Sequence, residues 1–182
     1  MGLRISVDHA FKICVFGDAS VGKTSLIRRF MTEKFDINIG KTMGVDISTK
    51  DIYIKGLKIN LQIWDFVGEA RFKSLLPTYA RGLFGAIFMY DITNFSSIQN
   101  IDDWLNKLRE KLSEWREKIP ILVVGGKSDL ANHRVVTIKD AINFSKSQLI
   151  YNYFECSSKT GENVKEIFYE LTLEIMKRSN II

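Results

Sequence analysis

The stretch GDASVGKTS at positions 17–25 places Gly17, Gly22, Lys23 and Thr24 at the spacing G-x-x-x-x-G-K-[ST], directly after an apolar run. Each residue type there has a physical use. Glycines let the backbone wrap closely around phosphate oxygens. With Asp18 and Ala19 leading into the turn, the amides of Ser20, Val21, Gly22, Lys23, Thr24 and Ser25 converge on those oxygens, and the helix that follows adds its positive N-terminal end. Lys23 supplies a mobile point charge for the outer phosphates. Thr24 offers a hydroxyl to Mg²⁺, a hard cation that keeps several waters and bridges phosphates.

A phosphate cradle of this kind needs a second group on the metal side and a sensor for the terminal phosphate, and LQIWDFVGEARF (61–72) provides both. Asp65 ends a strand-like run, where it can hold Mg²⁺ through water, and Gly68 can offer its backbone N–H to the γ-phosphate. A third element follows another buried strand, in GGKSD (125–129). Guanine presents an N1–H beside an exocyclic amine, and one ionised carboxylate accepts both; adenine has no such pair. Asp129 is suited to that contact, with the aliphatic stem of Lys127 lying along the base and Leu130 next in the loop. An aspartate capping a short turn is the plainer reading of Asp129 taken alone. An ATP-using enzyme of the same loop type is disfavoured by it.

These loops need a scaffold that brings them to one place. Continuous apolar runs at 11–16, 83–90, 121–126 and 151–156 are expected of parallel strands covered on both faces. VDISTKDIYI and LKINLQIWD alternate about a turn at Gly56 and predict an antiparallel hairpin at the sheet edge. Between the strands lie helical patterns, the clearest being Ile101, Trp104, Leu105, Leu108, Leu112 and Trp115 ahead of Pro120, with both tryptophans as core packing. The result is an α/β fold: a doubly wound, mostly parallel six-stranded sheet with one antiparallel edge strand and helices on both faces. Such a sheet binds ligands beyond the carboxyl ends of its strands.

The composition agrees with one globular domain over 1–182, with 1–10 as an N-terminal extension and no second domain. The chain has 182 residues, 46% hydrophobic and 26% charged. Its net charge of +5 is spread along the chain, so no nucleic-acid partner is expected. Cys14 and Cys156 sit in or beside apolar runs, as small buried residues of a reducing compartment rather than a disulfide. No apolar run reaches the roughly 18 residues of a membrane span and no secretory signal is evident, so a cytoplasmic monomer is expected, with peripheral attachment at a membrane surface as a variant. MGLRIS fits a myristoylation pattern weakly through Gly2 and Ser6.

With these motifs in order, the chain resembles a small GTPase of the Ras superfamily, and most closely its Rab branch. The resemblance runs from Phe11 to Lys177 through GDASVGKT, TMGVD, WDFVGEARF, YARG, YDITN, GGKSD and CSSKT. It implies a P-loop switch that binds GTP or GDP with Mg²⁺, hydrolyses GTP, and serves vesicle trafficking. Thr42 resembles the threonine whose hydroxyl binds Mg²⁺ and whose backbone senses the γ-phosphate, completing a metal set with Thr24 and Asp65. Phe35 resembles the aromatic that covers the guanine, and Ser157, Ser158 and Lys159 the loop that finishes the base pocket. Lys23, Thr42, Gly68 and the residue at 69 are the implied catalytic set. Effectors, exchange factors and GTPase-activating proteins are implied along 35–47 and 64–81, where Trp64 and Tyr79 match an aromatic effector patch and Ile47 stands where a phenylalanine is common.

The departures from the pattern are specific. Gly126 replaces the asparagine that the family uses to touch guanine and to tie the base loop to the phosphate loop. Restoring it is expected to tighten binding by about 1–2 kcal/mol. Glu69 replaces the glutamine that orients the attacking water. A carboxylate about 5 Å from a phosphate charge is repelled on the order of 3 kcal/mol at an effective dielectric near 20, enough to turn it toward Arg71 or raise its pKa. Slow hydrolysis is therefore expected, and a nucleotide-binding interaction module without turnover is the alternative. Ile39 replaces a tyrosine that many relatives fold over the phosphates. No cysteine follows Cys156, so the usual C-terminal prenylation is not expected.

Overall fold

The computed structural model describes residues 7–38, 40, 44–110, 119–146 and 150–182, with 70–71 and 145–146 described by their backbone. Six strands form one sheet: β1 His9–Phe16, β2 Val45–Ile54, β3 Leu57–Phe66, β4 Gly85–Asp91, β5 Ile121–Gly126 and β6 Asn152–Glu155. Their spatial order is β2-β3-β1-β4-β5-β6. All neighbours pair parallel except β2 with β3, which form the expected hairpin at one edge.

Period-two alternation on the central strands explains why helices cover both faces. On β1, Phe11, Ile13 and Val15 point to one face and Cys14 and Phe16 to the other; on β4, Ile87 and Met89 oppose Ala86, Phe88 and Tyr90. The first face is covered by α1 (Lys23–Thr32) and α6 (Val164–Arg178), whose Phe30 and Phe168 stack with ring centroids 4.0 Å apart. The second is covered by α2 (Leu76–Tyr79), α3 (Phe95–Gln99), α4 (Ile101–Arg109) and α5 (Ile138–Lys146). Ile101, Trp104, Leu105 and Leu108 of α4 are buried as their spacing predicts. Leu112 and Trp115, read as part of the same run, fall outside the described residues. Two 3₁₀ turns, Ala70–Leu75 and Ser128–His133, follow β3 and β5.

Cys14 and Cys156 are both buried free thiols, and they lie in different core layers. Burial pushes both thiols above their ordinary pKa, Cys156 to about 12. Among the described residues, no helix is long and apolar enough to cross a membrane.

Strand order decides where a ligand can sit. From β1 the chain winds first toward β3 and then, from β4 onward, to the other side of β1. The crevice beyond the carboxyl end of β1 is thus the switch point of a doubly wound sheet. The loop after β1 is GDASVGKT.

Candidate functional site

The loop after β1 closes tightly. Gly17 takes φ 135°, and a Cβ there would overlap the carbonyl of Met89 on β4, so only glycine fits. Gly22 caps α1 from the left-handed region. Lys23, the first residue of α1, is only 6% exposed and donates from Nζ to the Asp18 carbonyl at 2.6 Å. Burial lowers its pKa to about 8, although Asp65 and Asp18 favour the charged form. A cleft of about 490 Å³ opens above this loop, lined by Ala19, Ser20, Lys23 and Thr24 on one side and by Phe35, Gly68, Glu69 and Lys127 around the rim.

On the metal side, the Thr24 hydroxyl donates to Asp65 Oδ2 at 2.5 Å, joining the first turn of α1 to the end of β3. Asp65 is 3% exposed. Two hard oxygen donors at a phosphate loop suit a divalent cation that takes its other ligands from phosphate and water. Thr42, the third metal residue expected from the sequence, and Ile39 fall outside the described residues. Gly68 packs onto the phosphate loop so closely that a Cβ would overlap the backbone of Asp18 and Ala19. Glu69 stands beside it in the cleft wall, and its carbonyl accepts from Phe72 N at 2.9 Å. The Arg71 side chain, expected as a partner for Glu69, is not among those described.

On the base side, two loops are fastened to each other. The fully buried Ser157 donates from Oγ to Asp129 Oδ1 at 2.6 Å, and Ser128 N donates to the Cys156 carbonyl at 3.0 Å. This holds one oxygen of Asp129, whose side chain is 14% exposed, with Lys159 Nζ 4.0 Å from the other. Ser158 is buried, and Leu130 lies in the 3₁₀ turn with its N–H donating to the Lys127 carbonyl at 2.8 Å. Phe35 is 40% exposed at the mouth of the cleft.

Some positioning residues escaped the sequence reading. Asp18 is more than a loop residue: its carboxylate accepts from Asn100 Nδ2 and Trp104 Nε1, each at 2.7 Å, pinning the phosphate loop to α4. The spacing of Trp104 by itself predicts only packing. Its signal was chemical, because a buried indole N–H needs an acceptor. Lys127 pairs through Nζ with Asp91 Oδ2 at 2.6 Å, which fixes the side chain expected along the base. Asp91 lies in the YDITN motif, which gave this carboxylate no role of its own.

Outside the cleft, β2–β3 register sets Ile47 opposite Trp64, and Tyr79 packs on Trp64 with centroids 5.8 Å apart. Ile47 is 51% exposed, and Lys12 Nζ sits 3.8 Å over the Trp64 ring. Trp64 and Tyr79, matched by resemblance to the effector patch, therefore lie together with Ile47 on one surface.

A six-stranded sheet with a single antiparallel edge strand, a phosphate loop at its switch point and a base loop two strands away is the architecture of a small G domain. The Ras family profile matches residues 12–177. The Ras-related protein Rab-13 of Canis lupus familiaris is 38% identical over 172 residues, covering 94% of this chain and 83% of the relative. Rab-13 of Bos taurus is 38% identical and that of Rattus norvegicus 37%, over the same shares. The chain belongs to the Ras family, as a Rab-like small GTPase of the Ras superfamily.

Lys23 gives the ligand-free protein a pH dependence of definite sign. Unfolded, its amine holds a proton up to about 10.5; folded, it releases it near 8. Between those values the unfolded chain binds more protons, so the lysine's contribution to stability rises with pH there and is least favourable below 8. Cys14 and Cys156 act oppositely above pH 9, because the fold retains thiol protons that the unfolded chain releases. Urea unfolding of wild type beside Lys23→Met isolates the lysine. The stability difference should move in favour of wild type from pH 8 to 10, and a flat difference would mean that Lys23 stays charged in the fold.

Proposed function

We propose that this protein is a guanine-nucleotide switch that binds GTP and GDP with Mg²⁺ and hydrolyses GTP slowly. The observation that carries the reading is the convergence of Lys23, Thr24 and Asp65 at one end of the sheet, with Thr24 and Asp65 in direct contact. The amides from Ser20 to Ser25 cradle the phosphates and Lys23 exchanges the Asp18 carbonyl for a phosphate oxygen, which favours its charged form. Thr24, Asp65 and Thr42 are the residues that would hold Mg²⁺, which would supply positive charge against the charge developing on the phosphate oxygens. Asp129, oriented by Ser157, accepts both donors of guanine; Lys127, Leu130, Ser158 and Lys159 complete the pocket, and Phe35 covers it. Gly68 and Thr42 report the terminal phosphate to the segments 64–81 and 35–47, which effectors, exchange factors and activating proteins read, with Ile47, Trp64 and Tyr79 as the apolar centre of that surface. By likeness to its Rab relatives, the protein serves vesicle traffic at a membrane surface.

Glu69 favours a second reading, a nucleotide-binding interaction module without turnover. A glutamate accepts hydrogen bonds but cannot donate to a phosphate oxygen when ionised, and its charge repels the phosphates.

Chromatography of nucleotide released from the purified protein tests the switch directly: GDP or GTP is expected, and an empty protein would speak for a module that works without nucleotide. Asp129→Asn should weaken guanine nucleotides about 10-fold or more and favour xanthine nucleotides, consistent with loss of a charged hydrogen-bonding group. Undiminished guanine preference in a competition assay would remove Asp129 as base reader. In single-turnover hydrolysis of bound GTP, Glu69→Gln should run faster than wild type. A clear loss of rate would instead make the carboxylate a general base.

A further inference from the structure

β4 runs between β1 and β5, so its carboxyl end passes under both the phosphate loop and the base loop. Met89, near that end, is 1% exposed. Its terminal methyl reaches both loops. A Cβ built on Gly126 would lie 2.5 Å from Met89 Cε and 3.0 Å from the Val21 carbonyl, and one built on Gly22 would lie 3.4 Å from the same methyl. Gly126 does not need glycine for its backbone, because its φ is outside the left-handed region. What a side chain at 126 would meet is the movable methyl of Met89 on one side and a phosphate-loop carbonyl on the other, so one of them has to give way.

We infer that Met89 is a strut that sets the separation of the phosphate loop and the base loop, and that Gly126 is glycine because the methyl of Met89 takes the place of its side chain. This rests on the reading of the cleft as a guanine-nucleotide site. An unbranched thioether suits the task, since it fills an irregular gap between two backbones without a polar atom to satisfy. A nucleotide bridges the same two loops, phosphates on one and base on the other, so their separation decides whether Asp129 meets the base while the phosphates are seated. As a positioning residue, Met89 therefore acts on base discrimination. The inference also reverses the expectation for Gly126→Asn: with Met89 in place, an asparagine must displace the methyl or press on Val21, and alone it does not tighten binding.

A double-mutant cycle tests this with wild type, Gly126→Ala, Met89→Val and the pair, which moves the obstructing methyl from residue 89 to residue 126. Release of GDP is compared with release of inosine diphosphate, which lacks the exocyclic amine that Asp129 accepts, and thermal midpoints are recorded for all four proteins. Wild type should release inosine diphosphate at least tenfold faster than GDP. Each single variant should shrink that ratio threefold or more, and the pair should return to within about twofold of wild type, the signature of coupled neighbours. Single variants that lower the midpoint yet keep the ratio would make Met89 a core filler and overturn the inference, as would losses that simply multiply in the pair. Met89→Leu replaces Met89→Val if the latter does not fold. A wild-type protein that holds GDP no better than inosine diphosphate would defeat the guanine-site reading itself, and the strut with it; that result is visible before any variant is compared.

Discussion

Everything at the site depends on a lysine held almost out of water. An ammonium 6% exposed is costly unless oxygens surround it, and Lys23 has the Asp18 carbonyl at 2.6 Å and the field of Asp65. That requirement propagates outward. Asp18 must hold its position to present its carbonyl, and Asn100 and Trp104 hold it through its carboxylate. Asp65 must sit at the end of β3 beside Thr24, and the parallel pairing of β1 with β3, through Val15 and Asp65, puts it there. A group kept poorly solvated by its scaffold has much to gain from a polyphosphate, so its cost in the free protein is the counterpart of affinity in the bound one.

The second loop is organised on a different principle. Hydrogen bonds tie β5 to β6 and fix Asp129 from behind through Ser157, and the buried carboxylate on that side, Asp91, has a lysine partner. Lys127 is drawn to Asp91 at the end of β4. The phosphate loop is thus anchored to the helical layer by Asp18, and the base loop to the strands beneath it. A ligand touching both measures the distance between a helix and a sheet edge, a distance held by packing across β4.

Switching needs the opposite of this rigidity. Gly68 lies on the phosphate loop with no room for a side chain, so the two segments meet there through backbone alone. Beyond it come the 3₁₀ turn Ala70–Leu75 and the four-residue α2, elements too short to be stable without tertiary support. Tyr79 at the end of α2 rests on Trp64 and Phe66 of β3, so the short segment is joined to the strand that carries Asp65.

The sequence alone determined the scaffold and the chemistry of the contacts. Continuous apolar strands, a hairpin about Gly56 and the GDASVGKT turn are local patterns, each written in consecutive residues whose periodicity or steric need is visible without neighbours, and they led to the sheet and the phosphate loop as found. Asp129 stood out in the sequence because one carboxylate suits guanine's paired donors, and the structure places it in the loop after β5 with Ser157 behind it. What sequence could not show is which distant atoms share a space. Trp104 read as packing because its spacing is that of a buried helix face; that its N–H finds Asp18, 86 residues away, follows only from how α4 lies on the sheet. Gly126 read as a lost asparagine, a deficit to be repaired. The tertiary structure shows a filled site, because side-chain volume is conserved locally in three dimensions and not along the chain. A methyl from β4 occupies what the residue after Gly125 does not.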